Sequence, residues 1–288
     1  MVRKISLFAA VILLFANAGF AADQPSQFSR INEAANGIPL ALQVASVAYE
    51  NAESDLRVTL VGAVHVGDKA YYQRLNELFT SFDVVLYELV APQGTRVDPK
   101  AKRSGGFIGG TQNLMSDMLD LEHQLKEVDY SPDNFVHADL SPSEFKASMR
   151  EREESAYVYF WRAFYASMSQ YARDPLGLQG LQSVGDAMRV EGGNALKIKL
   201  ARDMANLELM REVFGADSQN AIIGARNQRA MQELAKQIKA GKRDIAIFYG
   251  AAHMPDFEER LFETYQLSPV STQWLDAWDL APEIENLP

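Results

Sequence analysis

Two stretches far apart in the chain follow one plan, and that plan restricts the fold more than any other feature. Val58-Thr59-Leu60-Val61-Gly62-Ala63-Val64-His65 and Ile245-Ala246-Ile247-Phe248-Tyr249-Gly250-Ala251-Ala252-His253 are each a short apolar run that ends in Gly-x-x-His. Each histidine is followed three residues later by an aspartate, Asp68 or Asp256. Apolar, β-branched runs of this length predict buried strands. The glycine is expected to let the chain turn where the strand leaves the sheet. The imidazole then arrives at the strand's C-terminal end, where open α/β sheets place their ligands. The chain has only four histidines, and two of them are committed to this pattern.

The flanking segments extend the same reading. Leu40 to Tyr49 and Leu56 to Val61 predict strands joined by a polar turn at Asn51 to Asp55. Asp68 is placed to cap a helix from about Lys69 to Phe82, with Tyr72, Leu75, Leu78 and Phe79 on one face. Asp83 to Leu89 predicts a further buried strand, which makes a parallel strand-helix-strand unit. Pro92 to Gly110 breaks the pattern. Its Ser104-Gly105-Gly106 stretch lacks the Gly-Lys-Ser/Thr ending of a phosphate loop and reads as a surface loop or lid. A helix over Leu114 to Glu127 and a short strand over Asn134 to Asp139 follow.

The middle reads as helical, from Ser143 to Arg152 and then along the aromatic stripe Tyr157, Phe160, Trp161, Phe164, Tyr165, Met168 and Tyr171. Such a stripe reads as core packing ahead of a substrate groove or a membrane-surface helix. Two long helices fit Ala195 to Phe214 and Ser218 to Lys239, and Pro255 marks a helix start after the second Gly-x-x-His. A last strand fits Pro269 to Trp274. The expected architecture is α/β: a central, mostly parallel or mixed sheet flanked by helices, in one domain over residues 22–288, with a large helical insertion at about 96–215.

Composition narrows the function. A net charge of -10 and a sequence pI near 5.0 argue against nucleic acid as a partner, since phosphate binding needs a basic face. With no cysteine, a thiolate nucleophile and a disulfide are ruled out, and any metal must be held by His, Asp, Glu or water. Arg3 and Lys4 precede the apolar run Ile5 to Phe15 and then small residues, the form of a signal peptide over residues 1–21. No later segment is apolar enough to span a membrane, so the mature chain is expected in a periplasm or outside the cell.

Four residues carry the expected chemistry. Glu88, in Tyr87-Glu88-Leu89-Val90, is a carboxylate embedded in an apolar strand and needs a partner or a cation. If the strands are neighbours, their ends bring His65, His253 and Glu88 together as ligands for a divalent metal ion with open positions. The same groups also suit metal-free acid-base hydrolysis, with Glu88 orienting a histidine that activates water. Arg226 is placed to stabilise an oxyanion. In the His-x-Asp pair His137 and Asp139, Asp139 reads as the cap of the next turn rather than as a ligand. His123 reads as a surface residue. Asp68 and Asp256 read as helix caps, the alternative being partners of the two histidines.

The paired Gly-x-x-His motifs, Tyr87-Glu88-Leu89-Val90 and Arg226-Asn227-Gln228-Arg229 together resemble the TraB/PrgY/GumN family. That family includes the TIKI proteases that inactivate Wnt proteins, and it belongs to a broader group with erythromycin esterases and ChaN-like proteins. The similarity runs from about Leu40 to Trp274, and the helical middle matches loosely. It implies an erythromycin-esterase/ChaN-like fold, with His65, Glu88, Arg226 and His253 at the active-site positions. The family usually carries Asn-Glu-Arg-Asn where this chain has Gly224-Ala225-Arg226-Asn227, so one candidate acid or ligand is missing. The expected function is an exported, metal-dependent peptidase acting on a peptide or small-molecule substrate. The alternatives are a peptide-, haem- or iron-binding protein without turnover, or a metal-free esterase-like hydrolase.

Overall fold

The computed structural model describes residues 27–95, 122–154, 195–206 and 220–281. The expected signal segment, the Gly-rich loop beyond Thr95, the aromatic stripe and residues 207–219 lie outside these residues. Among the described residues seven strands form one mixed sheet: β1 (Ser29–Glu33), β2 (Pro39–Glu50), β3 (Arg57–Ala63), β5 (Val84–Tyr87), β7 (Phe135–His137), β8 (Asp244–Gly250) and β9 (Ser268–Asp279). A two-stranded ribbon, β4 (Val66–Gly67) with β6 (Glu122–His123), stands beside it. The helices are α1 (Lys69–Phe79), α2 (Gln124–Glu127), α3 (Pro142–Glu151), α4 (Ala195–Ala205), α5 (Arg226–Lys239) and α6 (Met254–Tyr265).

Four adjacent strands, β3, β8, β5 and β7, run parallel. β8 therefore lies between β3 and β5, although it follows them by some 160 residues in the chain. β8 is buried from Ile245 to Gly250, as a strand covered on both faces must be. The remaining strands are antiparallel and meet on β2, the longest of the early strands. β9 pairs with β2 from Ala41 to Glu50. β1 and β3 share the opposite edge, over Pro39–Val44 and Ser46–Tyr49.

Side chains alternate across the sheet, so each strand feeds two cores. One face packs Val61, Val85, Phe248, Leu275 and Trp278 against Tyr72, Leu75 and Phe79 of α1 and Ile198 of α4. The other packs Leu60, Leu86, Ile247 and Tyr249 against Ala230 and Leu234 of α5 and Phe257 and Leu261 of α6. Among the described residues no helix is long and apolar enough to cross a membrane.

Several local expectations change. α1 ends at Phe79, and Asp68 stands at its N-cap position without capping it through its side chain. Its carboxylate instead accepts from the Asp279 N–H, tying α1 to β9. The next helix is capped by Ser141 and not by Asp139. Ser141 Oγ accepts from the Glu144 N–H at 3.3 Å while Glu144 Oε2 accepts from the Ser141 N–H at 2.8 Å, a reciprocal capping box. Asp256 lies inside the first turn of α6 rather than at its cap. Residues 122–123, expected in a helix, are extended because they pair with β4. The span expected as a helical insertion also contains β7, which belongs to the central sheet.

Candidate active site

The parallel strands end on one side of the sheet, and each end delivers a polar residue. β3 is followed by His65, β5 by Glu88, β7 by Asp139, and β8 by a single 3₁₀ turn, Ala251–His253, that carries His253. α5 begins at the same level with Arg226 and Asn227, directly after a π-helical turn over Ala221–Ala225. Such turns recur at functional sites because they re-aim the residues that follow.

The two Gly-x-x-His motifs are not structural copies. In the parallel pairing, Gly62 stands opposite Tyr249 and Ala63 opposite Gly250, an offset of one residue. Since neighbours along a strand alternate faces, the two glycines lie on opposite faces of the sheet. Neither glycine has a positive φ, so the expectation that they serve turns does not hold. Gly62 is required by packing: a β-carbon there would stand 3.2 Å from the Ala45 carbonyl oxygen. Gly250 is required by the site. A β-carbon there would lie 3.4 Å from Glu88 Oε2, 3.6 Å from His65 Nε2 and 3.7 Å from His253 Cδ2. Two histidines from remote segments and a carboxylate thus converge on one point above Gly250.

Glu88 and Arg226 form the floor. Glu88 Oε2 accepts from the Gly250 N–H at 2.7 Å, and Oε1 accepts from Arg226 Nη2 at 2.6 Å. Arg226 also donates to Asp139 through Nε (3.0 Å to Oδ1) and Nη2 (2.6 Å to Oδ2). With Nε and Nη2 so engaged, Nη1 is the donor that no described residue occupies. The Asp139 side chain is fully buried, and Glu88 and Arg226 are nearly so. Tyr249 Oη donates to the Ala138 carbonyl at 2.7 Å and fixes the segment that carries Asp139.

Burial alone would raise the Glu88 pKa, but the Arg226 guanidinium, with the histidines and the Gly250 N–H, holds it far below the usual carboxylate range. Burial alone would lower that of Arg226; Glu88 and Asp139 outweigh it and push it up. The cluster formally carries two carboxylates against one guanidinium. A buried surplus of negative charge calls for a cation.

His253 is held in one tautomer. Asn227 Nδ2 donates to two groups that only accept, the His253 carbonyl at 3.0 Å and Asp256 Oδ2 at 2.7 Å. Asn227 Oδ1 therefore faces His253 Nδ1 at 2.6 Å, and Nδ1 carries the proton. Nε2, which keeps the lone pair, lies 3.8 Å from Glu88 Oε1. Arg260 Nε donates to Asp256 Oδ2 at 2.6 Å and steadies the relay. Asp256 thus supports His253 through Asn227 instead of capping a helix.

His65 is exposed and less constrained. Its Nδ1 lies 3.1 Å from Gln124 Oε1, and Gln124 Nε2 donates to Tyr130 Oη at 2.9 Å. The Gln124 N–H also donates to the His65 carbonyl at 3.0 Å, so the β4–β6 ribbon clamps the residue. Asp139, Asn227 and Gln124 are the members that the sequence reading missed. Asp139 has a signal in hindsight, a carboxylate just beyond a short apolar strand, and Asn227 lies within the Arg226 motif; Gln124 has none. His137 points elsewhere, its Nε2 lying 2.5 Å from the Leu89 carbonyl oxygen. Among the described residues no three His, Asp or Glu side chains already stand in ligating positions. Both Glu88 oxygens are engaged, by Arg226 and by the Gly250 N–H.

Burial, only partly offset by Glu88, pushes the His253 imidazole down to about 3. The unfolded chain takes up this proton near pH 6.5 and the folded chain only near 3, so the stabilisation is complete above 6.5 and drains away as pH falls toward 3. In chelator, the chain is expected to lose about 1.4 kcal/mol per pH unit through this group between pH 6.5 and 4.5. Urea titrations at both pH values should show a flatter dependence for His253→Asn; an equal slope would mean that His253 is not held neutral by burial.

A scan against protein-family models, a search of curated proteins and a search of solved structures each returned no match.

Proposed function

We propose that the chain is an exported hydrolase, a metal-dependent peptidase in which His65 and His253, with Glu88, hold a divalent ion. The observation that supports this reading is the convergence of His65, His253 and Glu88 within 3.7 Å of one point above Gly250, beside a buried cluster with surplus negative charge. The donor chemistry fits such an ion: imidazole nitrogens and a carboxylate, without sulfur. When bound, the ion supplies a polarised substrate carbonyl and a water of lowered pKa.

The chain's own residues do the rest. Asn227 keeps the Nε2 lone pair of His253 turned into the site, which is the usual office of the outer partner of a ligating histidine. Arg226 keeps Glu88 ionised, and its Nη1 is the donor left for an oxyanion or a substrate carboxylate. His65 has its Nδ1 on Gln124 and its Nε2 toward the same point, so it too is oriented as a ligand.

The test uses the purified mature chain, its bound metal measured, assayed on a peptide library with and without chelator. Chelation is expected to stop cleavage and metal to restore it, and His65→Ala or His253→Ala should each lower it about 100-fold. Cleavage that survives both substitutions would remove the site from consideration. Full activity after metal removal, lost on substitution, would favour metal-free hydrolysis by the same residues.

A further inference from the structure

The two histidines of the candidate site are held by partners of different kinds. Asn227 serves His253 while its amide nitrogen faces two groups that only accept, so the direction of that hydrogen-bond chain is fixed. Gln124 serves His65 from between the ring Nδ1, 3.1 Å from its Oε1, and Tyr130 Oη, 2.9 Å from its Nε2. An imidazole nitrogen and a phenol can each give or accept a hydrogen bond, whereas an amide oxygen only accepts and an amide nitrogen only donates. What meets the far end of Gln124 therefore decides which end His65 meets, and with it which ring nitrogen carries the proton.

Tyr130 is the group at that far end. Its hydroxyl accepts from Gln124 Nε2, which turns Oε1 to His65, puts the imidazole proton on Nδ1 and leaves the lone pair on Nε2. Burial pushes the Tyr130 pKa up and the Glu88 charge adds to it, so the hydroxyl stays protonated. A hydroxyl hydrogen drawn toward Glu88 leaves a lone pair for Gln124. The pair is shut off from solvent, Gln124 being 4% and Tyr130 5% exposed. The tyrosine ring packs against Tyr87 and Phe135, with centroids 5.1 and 5.5 Å away. Asn76 of α1 pins the chain between the two residues: it donates to the Glu127 carbonyl and accepts from the Asp129 N–H, both at 2.9 Å. Without the hydroxyl, the Gln124 amide nitrogen would be buried with no acceptor, a costlier fault than an unserved amide oxygen. The amide would turn over, offer its nitrogen to His65 Nδ1 and drive the imidazole proton to Nε2.

We propose that Tyr130 is a positioning residue of the candidate site, which through Gln124 keeps the His65 proton on Nδ1 and the Nε2 lone pair open to the point above Gly250. The consequence, a better ligand at His65, rests on the proposed metal-dependent reading; the place of the proton does not.

The test reads the His65 tautomer directly, from the ¹⁵N shifts of the ring nitrogens in the full chain, in chelator at about pH 8, above the usual histidine range. His65→Gln assigns the signals. The wild-type chain is expected to carry the proton on Nδ1. Tyr130→Phe, which keeps the ring and its packing, should move it largely to Nε2. Gln124→Met should do the same, and adding Tyr130→Phe to it should change nothing further, because the tyrosine acts only through the amide. His253 should keep its Nδ1 proton throughout, which a general loosening of the site would not allow. With added Zn²⁺ as probe, Tyr130→Phe should weaken binding about 10-fold. A wild-type proton on Nε2 overturns the proposal, as does a proton that stays on Nδ1 in Tyr130→Phe or a matching change at His253. If the tautomer moves as expected but the wild-type chain binds no metal, the proposed peptidase falls and the role of Tyr130 stands.

Discussion

Arg226→Met is expected to destabilise the folded chain by about 3–5 kcal/mol at pH 7, the cost of stripping the partner from buried charge. The substitution keeps the apolar stem of the side chain but leaves two carboxylates without their cation. Asp139 has no solvent to turn to, and Glu88 almost none. Each retains one backbone donor, Leu140 N–H for Asp139 and Gly250 N–H for Glu88, which is too little for an ionised group. The loss should shrink when Glu88→Gln and Asp139→Asn are added, because a neutral network tolerates burial better than an unpaired anion. Urea denaturation of the variants gives the coupling as a cycle. A cost below about 1 kcal/mol for Arg226→Met alone would mean that water reaches the cluster and that its surplus charge draws no cation.

That cluster also marks how far the residues could be read without coordinates. The strands were legible because their apolar runs are short, β-branched and bounded by turn residues; β2, β3, β5 and β8 match their expected spans to within two or three residues. The convergence of His65, His253 and Glu88 was legible as a condition, since it needed only that three strand ends be neighbours.

Strand order was not legible. β8 enters between β3 and β5 through pairings that hydrophobic pattern alone does not encode. The one-residue offset between the two Gly-x-x-His motifs is likewise a property of register, and it reverses the role assigned to their glycines. A carboxylate before Leu-Ser-Pro is usually a cap, and only the arrival of Arg226 from 87 positions away gives Asp139 another partner. Gln124 sits in a polar stretch with no periodicity and is made functional by the ribbon that brings it to His65. Side chains that act through long-range partners leave the weakest local trace.

Gly250→Ala separates the site from the scaffold and is expected to lower the proposed hydrolysis about 1,000-fold while changing stability by no more than about 1 kcal/mol. The backbone at Gly250, φ -50 and ψ 140, is open to any L-residue, so the alanine brings no strain. Its methyl meets its neighbours at 3.4 to 3.7 Å, ordinary contact distance, so nothing in the core has to move. The space it fills is the point on which Glu88, His65 and His253 converge, and a carbon there excludes an ion, a water or a reacting carbonyl. Gly62→Ala is the counterpart. It pushes a β-carbon to 3.2 Å from a backbone oxygen of β2 on the opposite face, so stability should fall while the folded fraction keeps the proposed activity. Matched urea titrations and peptide-cleavage rates for the two variants decide the matter. An active, stable Gly250→Ala would show that the chemistry happens elsewhere, because no reaction among these three side chains can proceed around a methyl group set between them.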